Sequence, residues 1–328
     1  MPEVQVLKPQ KSWSHLVARR RKPSEYDIVS TNLHYNNRDA NAPYELDPNM
    51  FMNQWYKQHT FGTALTHKDW NAFRDPDEVV YRTYNLMQDG QETYVFGLFD
   101  QFSEREHDKA LDARWAGSLA RLYTPARYLF HTLQMASAYV GQVSPASTLT
   151  NCNYFQMADS LRWLSHTAYR TKELSLTFTD KGFGQDERQY WEHDAAWQGF
   201  RELMEKVLTV WDWGEAITVL SLVVKPAVEE TVLRRLGEAG RHNGDVLLGL
   251  LTDAQLIDAA RHRRWTAAFV KMGVETDGNR ERMQSWISQW QPLADRAIAA
   301  YCAALPDVPN AAESAQAATR EFQRGVGL

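Results

Sequence analysis

The sequence predicts an all-α protein, a bundle of long helices preceded by an extended N-terminal arm, and three observations carry that reading. From about residue 75 onward, apolar residues recur at three- and four-residue steps. Asp-Pro, Thr-Pro, Asn-Gly and Asp-Gly pairs interrupt that pattern at intervals of roughly a helix length. No stretch alternates apolar and polar residues as a half-buried strand would, and neither a Gly-rich phosphate loop nor a fixed short repeat occurs.

Residues 1–75 read as the arm. They hold Pro2, Pro9, Pro23, Pro43 and Pro48 and many Asn, and no helical period holds for long. Disordered tails are poor in aromatics, whereas this segment has Trp13, Tyr26, Tyr35, Tyr44, Trp55 and Tyr56, which need burial. Two placements fit, one on the arm's own domain and one across a neighbouring subunit. The second makes Trp13, Tyr26, Tyr35, Trp55 and Tyr56 candidate subunit-interface residues. The basic cluster Arg19 to Lys22 reads as a solvated face.

The helical domain is expected over 76–306. Asp75-Pro76 resembles a helix start, with Asp as cap and Pro in the first turn. The pattern then runs to about Leu122, as one helix or two joined by a kink near Asp89-Gly90. Thr124-Pro125 opens a helix to about Val143, Ser144-Pro145 breaks it, and another runs from Ser147 or Thr150 to about Leu176. After a loop at 180–184, helices are expected at 186–193, 196–223, 226–242, 245–272 and 279–304, divided by Pro226, Asn243-Gly244 and Asp277-Gly278. Residues 307–328 read as a C-terminal tail.

With 328 residues and 44% hydrophobic content, a sizeable core is feasible. Twelve Trp, 14 Tyr and 13 Phe favour both core packing and partner contacts. A net charge of -5 without a long basic stretch argues against nucleic acid as a partner. Cys152 and Cys302 are too few for a disulfide framework or a zinc cage and suit a reducing compartment. With no apolar signal core and no uninterrupted apolar run near ~20 residues, the expectation is a cytoplasmic protein without a membrane segment.

The search for chemistry begins at Glu104-Arg105-Glu106-His107. Glu-x-x-His places two metal ligands on one helix face, a spacing used by carboxylate-bridged di-iron bundles. Alone the signal is weak, and the polar surroundings 103–109 read as a solvent-facing surface. No nucleophile elbow and no His-Glu-x-x-His occurs. His131 and His166 read as core residues, and Arg201-Glu202 and Glu229-Glu230 as helix-surface charges.

Two other segments share a frame. Asp159-Ser160-Leu161-Arg162-Trp163 and Asp258-Ala259-Ala260-Arg261-His262 both fit Asp-x-x-Arg followed by an aromatic or His. In a metal-binding bundle, Asp-Glu-x-Arg-His would supply Glu and His as ligands, and its Asp would orient a His on the facing helix. Here Ser160 and Ala259 stand in the Glu positions and Trp163 in one His position, while His262 is kept. No Asp or Glu occurs between Leu122 and Ala158 or between Ala216 and Val228, where a ferritin-like bundle would need its other carboxylates. Two divalent irons in a dry core need several anionic oxygens. The expectation is a ferritin-like bundle without metal ligands, with Asp159, Ser160, Arg162, Trp163, Asp258, Ala259, Arg261 and His262 as a vestigial site. Asp159 is expected to pair with His262, and Arg162 and Arg261 with Asp258 and Asp159.

Longer runs carry a resemblance. Trp13-Ser14-His15-Leu16, the run from Arg21 to Ser30, Trp55-Tyr56-Lys57-Gln58, Phe73 to Asp77 and Tyr81 to Glu92 belong to it. So do Ala158 to Trp163, Trp211 to Ala216 and Pro292 to Arg296. Over nearly its whole length, to about Asp307, the chain resembles the β subunits of the toluene and o-xylene monooxygenase hydroxylases, among the bacterial multicomponent di-iron monooxygenases. The resemblance implies a non-catalytic subunit of an (αβγ)₂ hydroxylase whose di-iron centre lies in α. It also implies a Rieske ferredoxin, an NADH-dependent reductase and a small effector protein as system partners, and hydroxylation of toluene-type arenes with O₂. Two rival readings are a stand-alone di-iron oxidase using Glu104 and His107, and a generic helical interaction protein.

Overall fold

A computed structural model describes residues 22–31, 33, 47 and 49–328. Trp13, Tyr35, Tyr44 and Arg19 to Arg21 lie outside the described residues. Every regular element among those described is helical. Within the described part of the segment expected to be extended there are two α-helices, α1 (Glu25–Ser30) and α2 (Phe51–His59), and a short 3-10 helix at Trp70–Ala72. The signal for α1 is a capping box, in which Ser24 Oγ accepts from the Asp27 N–H while the Asp27 carboxylate accepts from the Ser24 N–H.

The first long helix, α3, spans Tyr81–Glu104 and starts later than Asp75-Pro76 suggested. Asp75 spends its carboxylate on a local turn, accepting from the N–H groups of Asp77 and Val79, and Glu78 then adopts a left-handed conformation with φ 48°. No break occurs at Asp89-Gly90, because Gly90 stays helical on the exposed face. Short α4 (Ala113–Ser118) leads through a π turn at Leu119–Tyr123 into α5 (Ala126–Gln142), and α6 (Ser147–Thr177) returns antiparallel to it. Helices α7 (Glu187–His193) and α8 (Ala195–Val207) follow.

The next boundary also differs from the expected one. The chain breaks at 208–212, not at Pro226, because Asp212 caps a new helix by accepting from the Glu215 N–H. That helix is continuous from 213 to 242. It comprises α9 (Trp213–Val219), a π segment (Leu220–Val224), α10 (Lys225–Val228), a second π segment (Glu229–Arg235) and α11 (Leu236–His242). Proline is tolerated inside it for two reasons. The turn before Pro226 is widened, and the Leu222 carbonyl, which would have accepted from the missing N–H at 226, accepts instead from Gln323 Nε2 at 2.8 Å. Gln323 belongs to α14 (Ala311–Gly325), so the expected tail is a helix packed on the core, following α12 (Val246–Gly273) and α13 (Asn279–Ala303).

Four units close a ring: α5 against α6, α6 against α12, α12 against the 229–235 segment and α11, and α9 back against α5. Helix α3 lies outside it on α12, and α8 and α13 cross closely where a side chain on Gly199 would collide with the Ala297 backbone. Trp115, Trp163, Trp197, Trp213 and Tyr301 are among the largest fully buried side chains. Each buries ~150–250 Å² of mostly apolar surface, worth about 4–6 kcal/mol before the entropy of ordering is subtracted. None of the described helices is long and apolar enough to cross a membrane.

Candidate functional site

At the centre of the ring the two Asp-x-x-Arg segments face each other from the middles of α6 and α12. Asp159 is fully buried, and its carboxylate is the hub. Oδ1 accepts from Tyr84 Oη at 2.8 Å and from Gln88 Nε2 at 2.9 Å. Oδ2 lies 2.7 Å from His262 Nε2 and also accepts from Arg261 Nη2. Asp258 accepts from Gln88 Nε2 at 2.9 Å on Oδ1, and from Arg162 Nη1 and Trp163 Nε1, both at 3.1 Å, on Oδ2. Two buried carboxylates therefore meet two guanidiniums and a set of neutral donors, so the charge is balanced without any added ion.

Burial pushes the His262 imidazole well below its ordinary value, and the nearby cations of Lys225 and Arg261 add to the effect. The ring is neutral at pH 7. Its Nε2 hydrogen points to Asp159 Oδ2, an acceptor, while Nδ1 has no hydrogen-bond partner. Burial raises the Tyr84 phenol, and the neighbouring Asp159 charge raises it further, so Tyr84 acts as a fixed donor. Its ring stacks on Phe155 at 4.6 Å.

Helix α3 contributes a stripe that sequence reasoning missed. Tyr84, Gln88 and Glu92 recur every four residues and so share one face. Glu92 accepts from Arg162 Nε at 2.6 Å and contacts His166 Nε2 at 3.0 Å. Burial alone would raise its carboxyl, but the hydrogen bonds from His166 and Arg162 outweigh it and hold Glu92 below its ordinary value. The available signal was a polar residue at every fourth position of an otherwise amphipathic helix.

Glu229 and Glu230, read from sequence as surface charges, are buried. Arg263 reaches from α12 to both, with Nε 2.7 Å from Glu229 Oε2 and Nη2 2.9 Å from Glu230 Oε1. Lys225 is buried one turn earlier. Its Nζ lies 3.3 Å from Glu229 Oε1 and 5.1 Å from the centroid of the Trp163 ring. Burial pulls the Lys225 ammonium below its ordinary value, against the attraction of Glu229. Trp163 also packs edge-on to Phe130 at 5.6 Å. The remaining members of the frame are small: Ala259 is buried, and Ser160 donates from Oγ to the Gln156 carbonyl at 3.0 Å.

The other sequence candidates sit elsewhere. Glu104 is the last residue of α3, and left-handed Glu106 turns the chain before His107, so the two do not share a helix face. His107 Nε2 instead lies 3.2 Å from Asp245 Oδ1, and Asp108 binds Arg170, so this polar run ties α3 to α6 and α12. His131 is exposed, whereas His166 is buried on Glu92. Arg201 and Glu202 lie at the surface, in ion pairs with Glu205 and Lys206. Tyr26 is buried on its own domain, with its Oη accepting from the Asp75 N–H and its ring under Arg74. Trp55 and Tyr56 are half-buried on α5, through Tyr139 Oη and the Gln142 carbonyl respectively. Among the described residues, no group of three or more His, Cys, Asp or Glu is placed to hold a metal ion.

Comparison with known proteins agrees with this architecture. The family profile described as "Methane/Phenol/Alkene Hydroxylase" matches residues 49–277. The chain is 56% identical, over 91% of both chains, to the toluene-4-monooxygenase hydroxylase component subunit beta of Ectopseudomonas mendocina. It is 26% identical to the phenol 2-monooxygenase oxygenase component DmpL of Pseudomonas sp. strain CF600, over 86% of this chain and 81% of that one. Among solved structures, a chain of toluene 4-monooxygenase hydroxylase with toluene in its resting active site superposes with a TM-score of 0.86. It has 55% identity and covers 92% of this chain and 99% of its own. A phenol hydroxylase chain from Pseudomonas sp. OX1 shares the fold at TM-score 0.82 and 22% identity, covering 99% of this chain and 97% of its own. A profile spanning most of the chain, together with a relative of this identity over nearly its full length, places the protein in the methane, phenol and alkene hydroxylase family.

Proposed function

We propose that this chain is the non-catalytic β subunit of a cytoplasmic (αβγ)₂ aromatic hydroxylase. Its α partner holds the di-iron centre and inserts one atom of O₂ into toluene-type arenes. A Rieske ferredoxin and an NADH-dependent reductase supply the electrons, and an effector protein docks on the assembly. The observation that carries the reading is the composition of the bundle interior. A carboxylate-bridged di-iron centre does not fit there, because Trp163, Ser160 and Ala259 offer no anionic oxygen and Lys225 adds a cation. The two aspartates and His262 are already engaged by Arg162, Arg261 and each other. On this reading the eight positions Asp159, Ser160, Arg162, Trp163, Asp258, Ala259, Arg261 and His262 are what remains of a metal site, kept as a polar clamp between helices.

The role is one of assembly. Helix α3 exposes Tyr81, Leu86, Tyr94 and Phe96 along its length, and Tyr169 of α6 stands 6.0 Å from Phe96. Exposed aromatic and aliphatic side chains of this kind suit an obligate interface. The test is to express the chain with and without its hydroxylase partners and to measure iron and arene hydroxylation in each preparation. Iron and activity are expected only in preparations containing the α subunit, with the chain alone prone to aggregate. Stoichiometric iron in the isolated chain, or full activity of α and γ without it, would overturn the proposal.

A further inference from the structure

Away from the polar clamp, α5, the end of α8 and the start of α9 line a cavity of about 240 Å³ that opens to the surface at Met135 and Trp211. Its walls are Ala136, Val140, Val207, Ala216 and Leu220, with Met135, Leu208 and Trp211 around the mouth. Two lining residues carry polar side-chain groups, the indole N–H of Trp211 at the mouth and the hydroxyl of Tyr139, and the hydroxyl is already engaged. It donates to the Trp211 carbonyl at 2.5 Å and accepts from Trp55 Nε1 at 3.2 Å. Those two bonds, with the Trp55 and Tyr139 rings each 5.5 Å from the Trp211 ring, hold the rim in place.

A cavity of this kind discriminates by chemistry. Ordered water needs two to four polar partners, which these walls do not offer, and a dry apolar cavity of ~150 Å³ is already large enough for benzene. We infer that the cavity between α5, α8 and α9 is a binding site for a small, non-polar molecule of about one aromatic ring. The ligand enters past Met135, whose unbranched side chain can adapt to it, and it is selected against hydroxylated analogues because a hydroxyl seated on the apolar inner walls would give up water for little in return. The site lies in this chain and uses none of the residues of the polar clamp.

The experiment uses the assembled hydroxylase with ¹³C-methyl-labelled methionine, in which the Met135 resonance is assigned with a Met135→Leu variant. Benzene is titrated first and phenol second. The Met135 signal is expected to shift saturably with benzene and at least about tenfold more weakly with phenol. Ala216→Leu, which fills the cavity, is expected to abolish the shift without lowering the melting temperature. Val140→Ala, which enlarges the cavity, is expected to retain it. The inference is overturned if the wild type shows no saturable shift, if Ala216→Leu responds like the wild type, or if phenol binds as well as benzene. A crystal structure of the assembly with a partner side chain, or this chain's own residues 34–46, seated in the cavity would overturn it equally.

Discussion

Replacing Asp159 by Asn tests the clamp at its hub. The side chain keeps its shape and loses the negative charge that Arg261, His262, Tyr84 and Gln88 share. Some neighbours adapt. Gln88 can rotate its amide, because its Oε1 is unpartnered and can face the new NH₂ group, and the Tyr84 hydroxyl can turn to accept. Arg261 cannot adapt. Its remaining carboxylate is Asp258, at 3.4 Å and already engaged by Arg162 and Trp163. Breaking one side of a buried ion pair costs about 3–5 kcal/mol, because a desolvated charge is left behind. For a chain of 328 residues, an unfolding entropy of ~2.1 cal/mol/K per residue turns that loss into a fall in melting temperature of about 4–7 °C. Scanning calorimetry of the assembled protein measures it, with Asp180→Asn, which removes the same charge at the surface, as the control. A fall of under about 1 °C would show that the carboxylate is not the electrostatic hub and would refute the reasoning.

Three further outcomes follow from the geometry. As pH drops below about 6.5, the unfolded chain takes up a proton at His262 that the folded chain refuses, so stability falls by up to about 1.4 kcal/mol per pH unit toward the depressed folded value. His262→Gln, which can still donate to Asp159, should flatten that slope between pH 6.5 and 5 in calorimetric scans. Gly199→Ala should destabilise by about 1–3 kcal/mol, because its Cβ would come within 2.5 Å of the Ala297 Cα and force α8 and α13 apart. Gln323→Leu, close in volume but without a donor, should cost about 1–3 kcal/mol by orphaning the Leu222 carbonyl, and chemical denaturation would show it.

Much of the fold is legible because it follows from local rules. Thr124-Pro125 and Ser144-Pro145 bracket α5 within a few residues, and the apolar period of α6 and α12 runs unbroken. The failures have physical causes. Asp75 carries the chemistry of a cap, but its carboxylate closes a turn that Glu78 then redirects. Pro226 has the chemistry of a stop, but a donor from a distant helix removes the penalty, and no local pattern encodes that donor. At the site, the repeated Asp-x-x-Arg frame picks out Asp159, Arg162, Asp258, Arg261 and His262, whose side chains do meet. The α3 stripe escaped notice because Tyr84 fits an apolar period as readily as a polar one. Glu229 and Glu230 look like surface charges in a single sequence, because the partner that allows their burial, Arg263, comes from a facing helix.

The bond between Gln323 and Leu222 joins positions 101 residues apart and so constrains when the bundle can be finished. Helix 213–242 emerges from the ribosome long before the residue that satisfies its one proline-orphaned carbonyl. During synthesis that carbonyl must stay hydrated, which keeps water at a face destined for the interior and holds the middle of the helix loose. Tight closure waits for α14 to dock. Helix α14 thus serves as the fastener, and a chain truncated before it would carry an open seam through its centre.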